Sequence, residues 1–371
     1  MHKNNPHSLK ALLTFISVAS VLLIEANIVV YNAVISLLAI TSHATRVAGA
    51  ILLTLLSGGF LGMLVVERFS KSRLTRFLYR LTAIWTGSFA YLLIAGILYD
   101  ISAIFVSDTR PFGVAFFGIA ILVSIYGYIN GRRIVTKKIS VTLPNLPLAW
   151  HGRTAVWMSD LHLGSVRGTA FSKKVTALSN SLSPDVVFIG GDLYDGTHAP
   201  DPYEIAQPLT DLTAPRGVYF ISGNHEEFGD PTPFVQAVEK IGITILNDKL
   251  ITLDGLQILG VDYQHATKKE AFKMLLEKLA FDKSLPSILL KHEPKDLEIA
   301  EQAGVSFQIS GHTHRGQQWP FNYLANIAYK GFGYGLKPLG NLQVYVSSGI
   351  GGWGPPLRVG SNCEIVHITF L

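Results

Sequence analysis

Long apolar runs dominate the first 139 residues, and short ones recur through the rest of the chain. Residues 11–40 contain one charge, Glu25, and residues 47–66, 81–99 and 111–129 contain none. A bilayer needs about 20 apolar residues in a helix. These runs also lack a polar face, so the pattern predicts four membrane-spanning helices rather than buried helices of a soluble domain. The run 11–40 is too long for the apolar region of a cleaved signal peptide, and no small-residue cleavage site follows it cleanly. From residue 140 onward, short apolar runs repeatedly end in polar residues: TAVWMSDLHLG, DVVFIGGDLYD, GVYFISGNHE, SILLKHEP and VSFQISGHTH. Residues 139–150 read as a lead-in strand and a Pro-containing connector, and 170–182, 232–241 and 268–281 as helices. Alternating strands and helices predict a layered α/β domain over 140–371, behind an all-α membrane domain over 1–139.

Composition sharpens this division. The charged fraction is 15% and the mean hydropathy +0.33, which excludes a disordered chain and argues against a wholly soluble one. A single cysteine, Cys363, excludes an intramolecular disulfide, a Cys-based zinc site and a CxxC redox motif. The net charge of +5 would fit a nucleic-acid binder if it formed one face. It does not. Residues 1–139 carry thirteen Lys/Arg against four Asp/Glu, and residues 140–371 carry eighteen against twenty-two. Lys3, Lys10, Arg68, Lys71, Arg73, Arg76, Arg80, Arg132, Arg133, Lys137 and Lys138 fall on one side of the four runs. Only Arg46 and Arg110 fall on the other. Basic loops stay in the cytoplasm. Both termini and the C-terminal domain are therefore expected at the cytoplasmic face of the cell (inner) membrane, in a multi-pass protein, with no specific nucleic-acid binding. Within the runs, Glu25 and Asn27 read as helix–helix hydrogen-bonding groups in preference to a functional site. Gly58 and Gly62 have the GxxxG spacing of a close helix contact.

In layered α/β folds ligands gather at the carboxyl ends of strands. Asp160, His162, Asp192, Asn224, His292, His312 and His314 all follow apolar runs there. Four or five donors serve one metal, so seven suggest two metals sharing a bridging carboxylate. Any one of these short motifs alone is weak evidence. The five in this order are specific.

The ordered set SDLHLG, GGDLYD, GNHE, KHEP and SGHTHRGQ resembles the calcineurin-like metallophosphoesterases over roughly residues 140–371. The tail, VYVSSGIGGWGPPLRVG and EIVHITFL, is similar to the bacterial membrane-associated phosphodiesterase branch, which includes UDP-2,3-diacylglucosamine pyrophosphatase-like enzymes. The resemblance implies a four-layer α/β/β/α sandwich with a dinuclear site. It implies that Asp160, His162 and His314 hold one divalent ion, that Asn224, His292 and His312 hold the other, and that Asp192 bridges them. His225 would assist the leaving oxygen, and Asp195 would orient His225. Mn²⁺ is the first expectation for both ions, with Fe or Zn as alternatives. The implied reaction is hydrolysis of a phosphodiester or pyrophosphate by a hydroxide bridging the two metals. A lipid-linked or UDP-diacylglucosamine-type substrate is favoured by the bilayer tether.

Other residues leave two readings open. Arg315, where many relatives have a small residue, is a candidate contact to a substrate phosphate, or it points to solvent. Arg167 is a second candidate clamp. The aromatic segment 317–336 is either a hairpin packed on the core or an amphipathic lip that touches acyl chains or the membrane surface. Gly351, Gly352 and Gly354 around Trp353 suggest a close-approach or mobile loop at the same mouth. The rival function is a membrane interaction protein that uses the phosphoesterase domain as a docking scaffold; the intact donor set argues against it.

Overall fold

A computed structural model describes residues 6–70, 72–196, 201–227 and 230–371, without the side chains of 6–20, 64, 68 and 69. The chain divides into two compact units, Met1–Tyr126 and Gly127–Leu371. The sequence pattern places the boundary at 139; the structure has the second unit already begun at Gly127.

Four helices lead the chain: α1 (Pro6–Leu37), α2 (His43–Phe69), α3 (Arg73–Phe105) and α4 (Arg110–Asn130). Three stretches are long and apolar enough to cross a membrane, namely His43–Met63, Arg73–Phe105 and Arg110–Asn130. The apolar part of α1 is described only over Val21–Leu37; the earlier half of the expected first span, with Lys10, lies outside the described side chains, and Lys3 outside the described residues. Leu22, Ile51, Leu55 and Ile104 are exposed, so the helices are apolar on the outside, as lipid requires. Asn27, Ser57 and Trp85 turn inward instead, whereas Glu25, expected beside Asn27 as a helix–helix group, is exposed. Ser57 Oγ donates to Asn27 Oδ1 (2.9 Å), and Trp85 Nε1 donates to Ser57 Oγ (3.1 Å), joining α1, α2 and α3. Asn27 is thus a helix–helix hydrogen-bonding group. The GxxxG expectation is corrected: among the described residues a Cβ on Gly58 or Gly62 would meet nothing within 4 Å, whereas one on Gly59 would meet Thr82 at 2.8 Å. One residue is about 100° of helix, and that phase turns Gly59, not its neighbours, to α3.

The second unit holds two six-stranded sheets. The strands are β1 (Ile134–Val141), β2 (Thr154–Met158), β3 (Val186–Gly190), β4 (Val218–Ile221), β5 (Thr244–Ile245), β6 (Lys249–Leu253), β7 (Leu256–Gly260), β8 (Ser287–Leu290), β9 (Phe307–Ser310), β10 (Gly335–Leu339), β11 (Leu342–Val346) and β12 (Cys363–Phe370). One sheet has the order β1-β12-β2-β3-β4-β5 and the other β10-β11-β9-β8-β7-β6. In the first, β2 to β5 run parallel; in the second, β7, β8, β9 and β11 do. The helices are α5 (Thr169–Ser181), α6 (Pro202–Ala206), α7 (Thr232–Lys240), α8 (Tyr263–Ala266), α9 (Lys269–Leu279), α10 (Leu297–Ala303) and α11 (Phe321–Ala328).

Alternation along the strands sorts side chains into three layers of core. Trp157, Phe188 and Phe370 of the first sheet meet Ile258, Ile288, Phe307 and Tyr345 of the second. The opposite face of the first sheet, with Val156, Val187 and Phe220, packs on Val175 of α5 and Phe234 of α7. The opposite face of the second, with Leu259, Leu289 and Val344, packs on Phe272 of α9 and Ile299 of α10. The result is the expected α/β/β/α order of layers. Lys137 and Lys138, read from sequence as part of a membrane-flanking collar, are exposed on the edge strand β1, where charge discourages pairing with another sheet.

Close packing makes one prediction. A Cβ on Gly190 would lie 2.0 Å from the fully buried ring of Trp157. Gly190→Ala should destabilise the second unit by about 1–3 kcal/mol through overpacking. Unfolding of detergent-solubilised protein, followed by near-UV circular dichroism, should show a lower midpoint; an unchanged midpoint would show that the ring moves freely.

Candidate metal centre

Five strands deliver the site. Asp160 and His162 follow β2, Asp192 follows β3, Asn224 and His225 follow β4, His292 follows β8, and His312 and His314 follow β9. The first three strands belong to one sheet and the last two to the other. Asp160, His162, Asp192, His312 and His314 each have a positive φ, between 48° and 68°. A non-glycine residue there costs on the order of 1–3 kcal/mol and persists only where the surroundings over-determine it. Glycines provide the room. A Cβ on Gly223 would stand 2.2 Å from Asp192 Oδ1, and one on Gly311 2.4 Å from Asp160 Oδ2.

All seven donor residues named from sequence converge. Their atoms form two groups, one of Asp160, His162 and His314 and another of Asp192, His292 and His312. Asn224 Oδ1 joins the second, 2.8 Å from His312 Nδ1 and 3.2 Å from His292 Nε2. Asp192 stands between the groups: its Oδ2 is 3.2 Å from His292 Nε2 and 3.8 Å from His162 Nε2. His225 is close as well, in a third group with His162 and Asp192. Its ring meets the His162 ring edge-on at 4.5 Å.

Hydrogen bonds aim these groups. The His312 N–H donates to Asp160 Oδ1 and the His225 N–H to Asp192 Oδ1, both at 2.9 Å. His292 Nδ1 lies 2.8 Å from the Gly190 carbonyl, which fixes a proton there and turns Nε2 toward the site. Burial holds His162, His225 and His312 down to about 4. Burial and the nearby Arg358 guanidinium hold His314 well below its ordinary value. Burial would lower His292 too, but the adjoining Asp192 carboxylate wins and raises it, while His292 holds Asp192 low against the same burial. The rings of His162, His225, His312 and His314 are therefore neutral at physiological pH and present lone pairs, whereas Asp192 holds His292 toward its charged form. His162 Nε2 and His314 Nε2 face each other at 3.1 Å, with Asp160 Oδ1 3.7 Å from the latter. Such a crowd of acceptor atoms fits a bound cation, and the mixed N and O donor set suits divalent ions.

The remaining expected residues are placed as follows. Asp195 Oδ1 is 3.5 Å from His162 Nδ1 and 4.0 Å from His225 Nδ1, so its carboxylate faces both rings. Arg167 is buried and donates to the Gly352 carbonyl at 2.7 Å. Arg315 is half-buried, with its guanidinium 4.4 Å over the Tyr334 ring. The glycine loop is tied down: Ile350 N–H donates to Ser159 O and Gly351 N–H to Asp160 O, each at 2.9 Å.

Sequence reasoning missed two residues. Glu226 is fully buried and accepts the N–H groups of Asp192, Tyr194 and Gly223 at 2.8–3.0 Å, which locks the turn carrying Asp192. Burial, with the Asp192 charge second, pushes its carboxyl up to about 7. Its place in GNHE was the available signal. Arg358 is also fully buried. It donates from Nη1 to His314 O (2.8 Å) and from Nη2 to Ser348 O (2.8 Å) and Gly351 O (2.6 Å), beside His314 Nδ1 at 3.2 Å. Its backbone N–H donates to Gly127 O at 2.8 Å, and its carbonyl accepts from Asn130 Nδ2 at 3.0 Å.

Residues 154–316 match the sequence profile of the calcineurin-like phosphoesterases. The C-terminal unit is a calcineurin-like metallophosphoesterase domain. Its chain is 34% identical over 220 residues to an uncharacterized metallophosphoesterase of Helicobacter pylori, a match covering 58% of this chain and 59% of that one. It is 33% identical over 251 residues to one of Campylobacter jejuni, covering 66% of each. It is 30% identical over 267 residues to a Danio rerio transmembrane protein with metallophosphoesterase domain, covering 68% of this chain and 61% of that one. The chain thus spans about three fifths of the length of the Helicobacter and Danio relatives. The His and Asp clusters of this domain are able to hold metal ions, in keeping with a metallophosphoesterase.

Removing a group that orients a donor typically lowers metal affinity by about 10–100-fold. Arg358→Ala should do so here, as read by Mn²⁺ titration of the purified full chain, and Arg358→Lys should recover part of the loss. A change below about twofold would show that His314 is held without it.

Proposed function

We propose that this protein is a membrane-anchored, metal-dependent phosphohydrolase that cleaves a phosphodiester or pyrophosphate bond. One observation carries the reading: six O and N donors from two sheets converge in two groups on either side of a seventh, Asp192. In this reading Asp160, His162 and His314 hold one divalent ion, Asn224, His292 and His312 hold a second, and Asp192 lies between. Two such ions, Mn²⁺ first with Fe or Zn as alternatives, supply water of lowered pKa and neutralise phosphate charge.

The chain's own groups complete the chemistry. His225, beside His162 and Asp192 but outside the two donor groups, is placed to give a proton to the departing oxygen. Burial keeps its ring neutral in the free protein, and a bound phosphate anion would raise it toward the protonated form. Asp195 orients the His162 and His225 rings together. Arg315, half-exposed next to His314, is the residue proposed to reach a substrate phosphate. Arg167, engaged at Gly352, would act through the loop that carries Trp353. The tether favours a lipid-linked substrate or one of the UDP-diacylglucosamine type. The basic loops favour a cytoplasmic domain, with both termini on the same side of the cell membrane.

The test is hydrolysis by the purified full chain of bis-p-nitrophenyl phosphate, a phosphomonoester and a lipid-linked UDP-sugar. Turnover should require added Mn²⁺, stop with chelator, and accompany two bound ions by elemental analysis. Asp192→Asn should lose on the order of a hundredfold or more, with a drop in bound metal. His225→Ala should lose about 10²–10⁴-fold with metal content kept. Full activity in Asp192→Asn would sink the reading.

A further inference from the structure

The helix α11 is turned inside out. At about 100° per residue, Phe321, Leu324, Ile327 and Ala328 share one side of it, and Asn322 and Asn326 share the other. In a water-facing helix the asparagines would point outward. Here Asn322 is half-buried against the protein, where a Cβ on Gly316 would stand 2.4 Å from its backbone N; Asn326 stays exposed, although its backbone is packed too, with a Cβ on Gly333 falling 2.9 Å from its Cα. The apolar side is outside, with Phe321 44%, Tyr323 61%, Leu324 61% and Ile327 73% exposed, and no residue of α11 is buried.

Two exposed indoles flank the helix. Trp319 lies just before it, and Trp353 is joined to it through Gln317, which donates from Nε2 to Trp353 O (3.0 Å) and accepts from the Trp353 N–H (3.1 Å). Trp353 also stands 6.3 Å, ring centre to ring centre, from His225. The same surface continues to the last turn of α4. The Trp319 N–H donates to Val359 O at 2.7 Å, and a Cβ on Gly127 would meet Val359 Cγ2 at 2.7 Å. Ile129, on that turn, is 62% exposed. Trp and Tyr beside an apolar helix are the composition of the headgroup boundary of a bilayer.

We propose that residues 319–328 with Trp353 form an interfacial contact in which α11 lies in the lipid headgroup boundary, so that the metal centre opens onto the membrane surface. The occupant is the lipid bilayer, because this face is continuous with the last turn of a helix apolar enough to cross it. The corollary, that the substrate's phosphate ester is taken from the headgroup layer and not from bulk water, rests on the function proposed above; the lipid contact does not.

The test uses the full chain in nanodiscs of phosphatidylethanolamine and phosphatidylglycerol. In a Cys363→Ser background, single cysteines at Leu324, Ile327 and, as a control on α9, the exposed Met274 carry an environment-sensitive fluorophore. Spin-labelled lipids should quench the labels at 324 and 327 by about twofold or more over the control. Quenching equal to the control overturns the proposal. So does shielding of both labels without lipid quenching, which would mean that a second copy or another protein covers the face. In a second arm, Leu324→Glu with Ile327→Glu should cut turnover of a membrane-presented phosphate ester by about tenfold and leave a soluble diester within about twofold. Equal loss on both substrates overturns the corollary. Quenching needs no turnover, so a protein that is quenched but hydrolyses neither ester refutes the function while the lipid contact stands.

Discussion

The Asp192 carboxylate is where the two sheets meet, and the rest of the domain is arranged to hold it there. One oxygen accepts the His225 N–H; the other faces His162 from its own sheet and His292 from the opposite one. Donors on two separate sheets converge only if those sheets pack in one fixed register. The Trp157, Phe188 and Phe370 layer against Ile258, Phe307 and Tyr345 supplies that register. The core is therefore part of the site, because a shift between sheets would separate His292 and His312 from Asp192.

Holding the donors close carries a local cost that the fold absorbs. Five of them have left-handed backbone, and their rings and carboxylates crowd together with few compensating charges. Strain of this kind survives where neighbours leave no alternative. Glu226 satisfies three backbone N–H groups around the Asp192 turn, and Arg358 satisfies three carbonyls around His314. These two buried charged side chains make up for what regular secondary structure cannot provide at strand ends.

Much of this was legible in the sequence, for a physical reason. Apolar runs ending in Asp, His or Asn mark the points where strands leave the core, so both the layered domain and the seven donors could be read off. Helices 170–182, 232–241 and 268–281 emerged within a residue or two at each end. What could not be read depends on partners far along the chain. Arg358 looks like one more basic residue until His314 and Gly127 are brought beside it. The phase of α2, which turns Gly59 inward, is set by packing against α3 and not by spacing. The composition of 317–336 fits a hairpin or an amphipathic lip, and only the structure shows the helix α11 there, with its apolar side exposed.

The grip on the last turn of α4 also decides where the chain can be cut. Gly127 O takes the Arg358 N–H, Asn130 Nδ2 caps the Arg358 and Ser361 carbonyls, and β1 covers one edge of β12 along its whole length. A fragment starting at residue 140, where composition changes, would strip β12 of β1 and leave it, paired only to β2, with a long open edge prone to aggregation. It would also release the loop that carries Arg358. The smallest fragment that keeps these contacts starts at Gly127 and carries the end of α4 with it. What composition marks as the end of the membrane part is, by its contacts, the first structural element of the metallophosphoesterase domain.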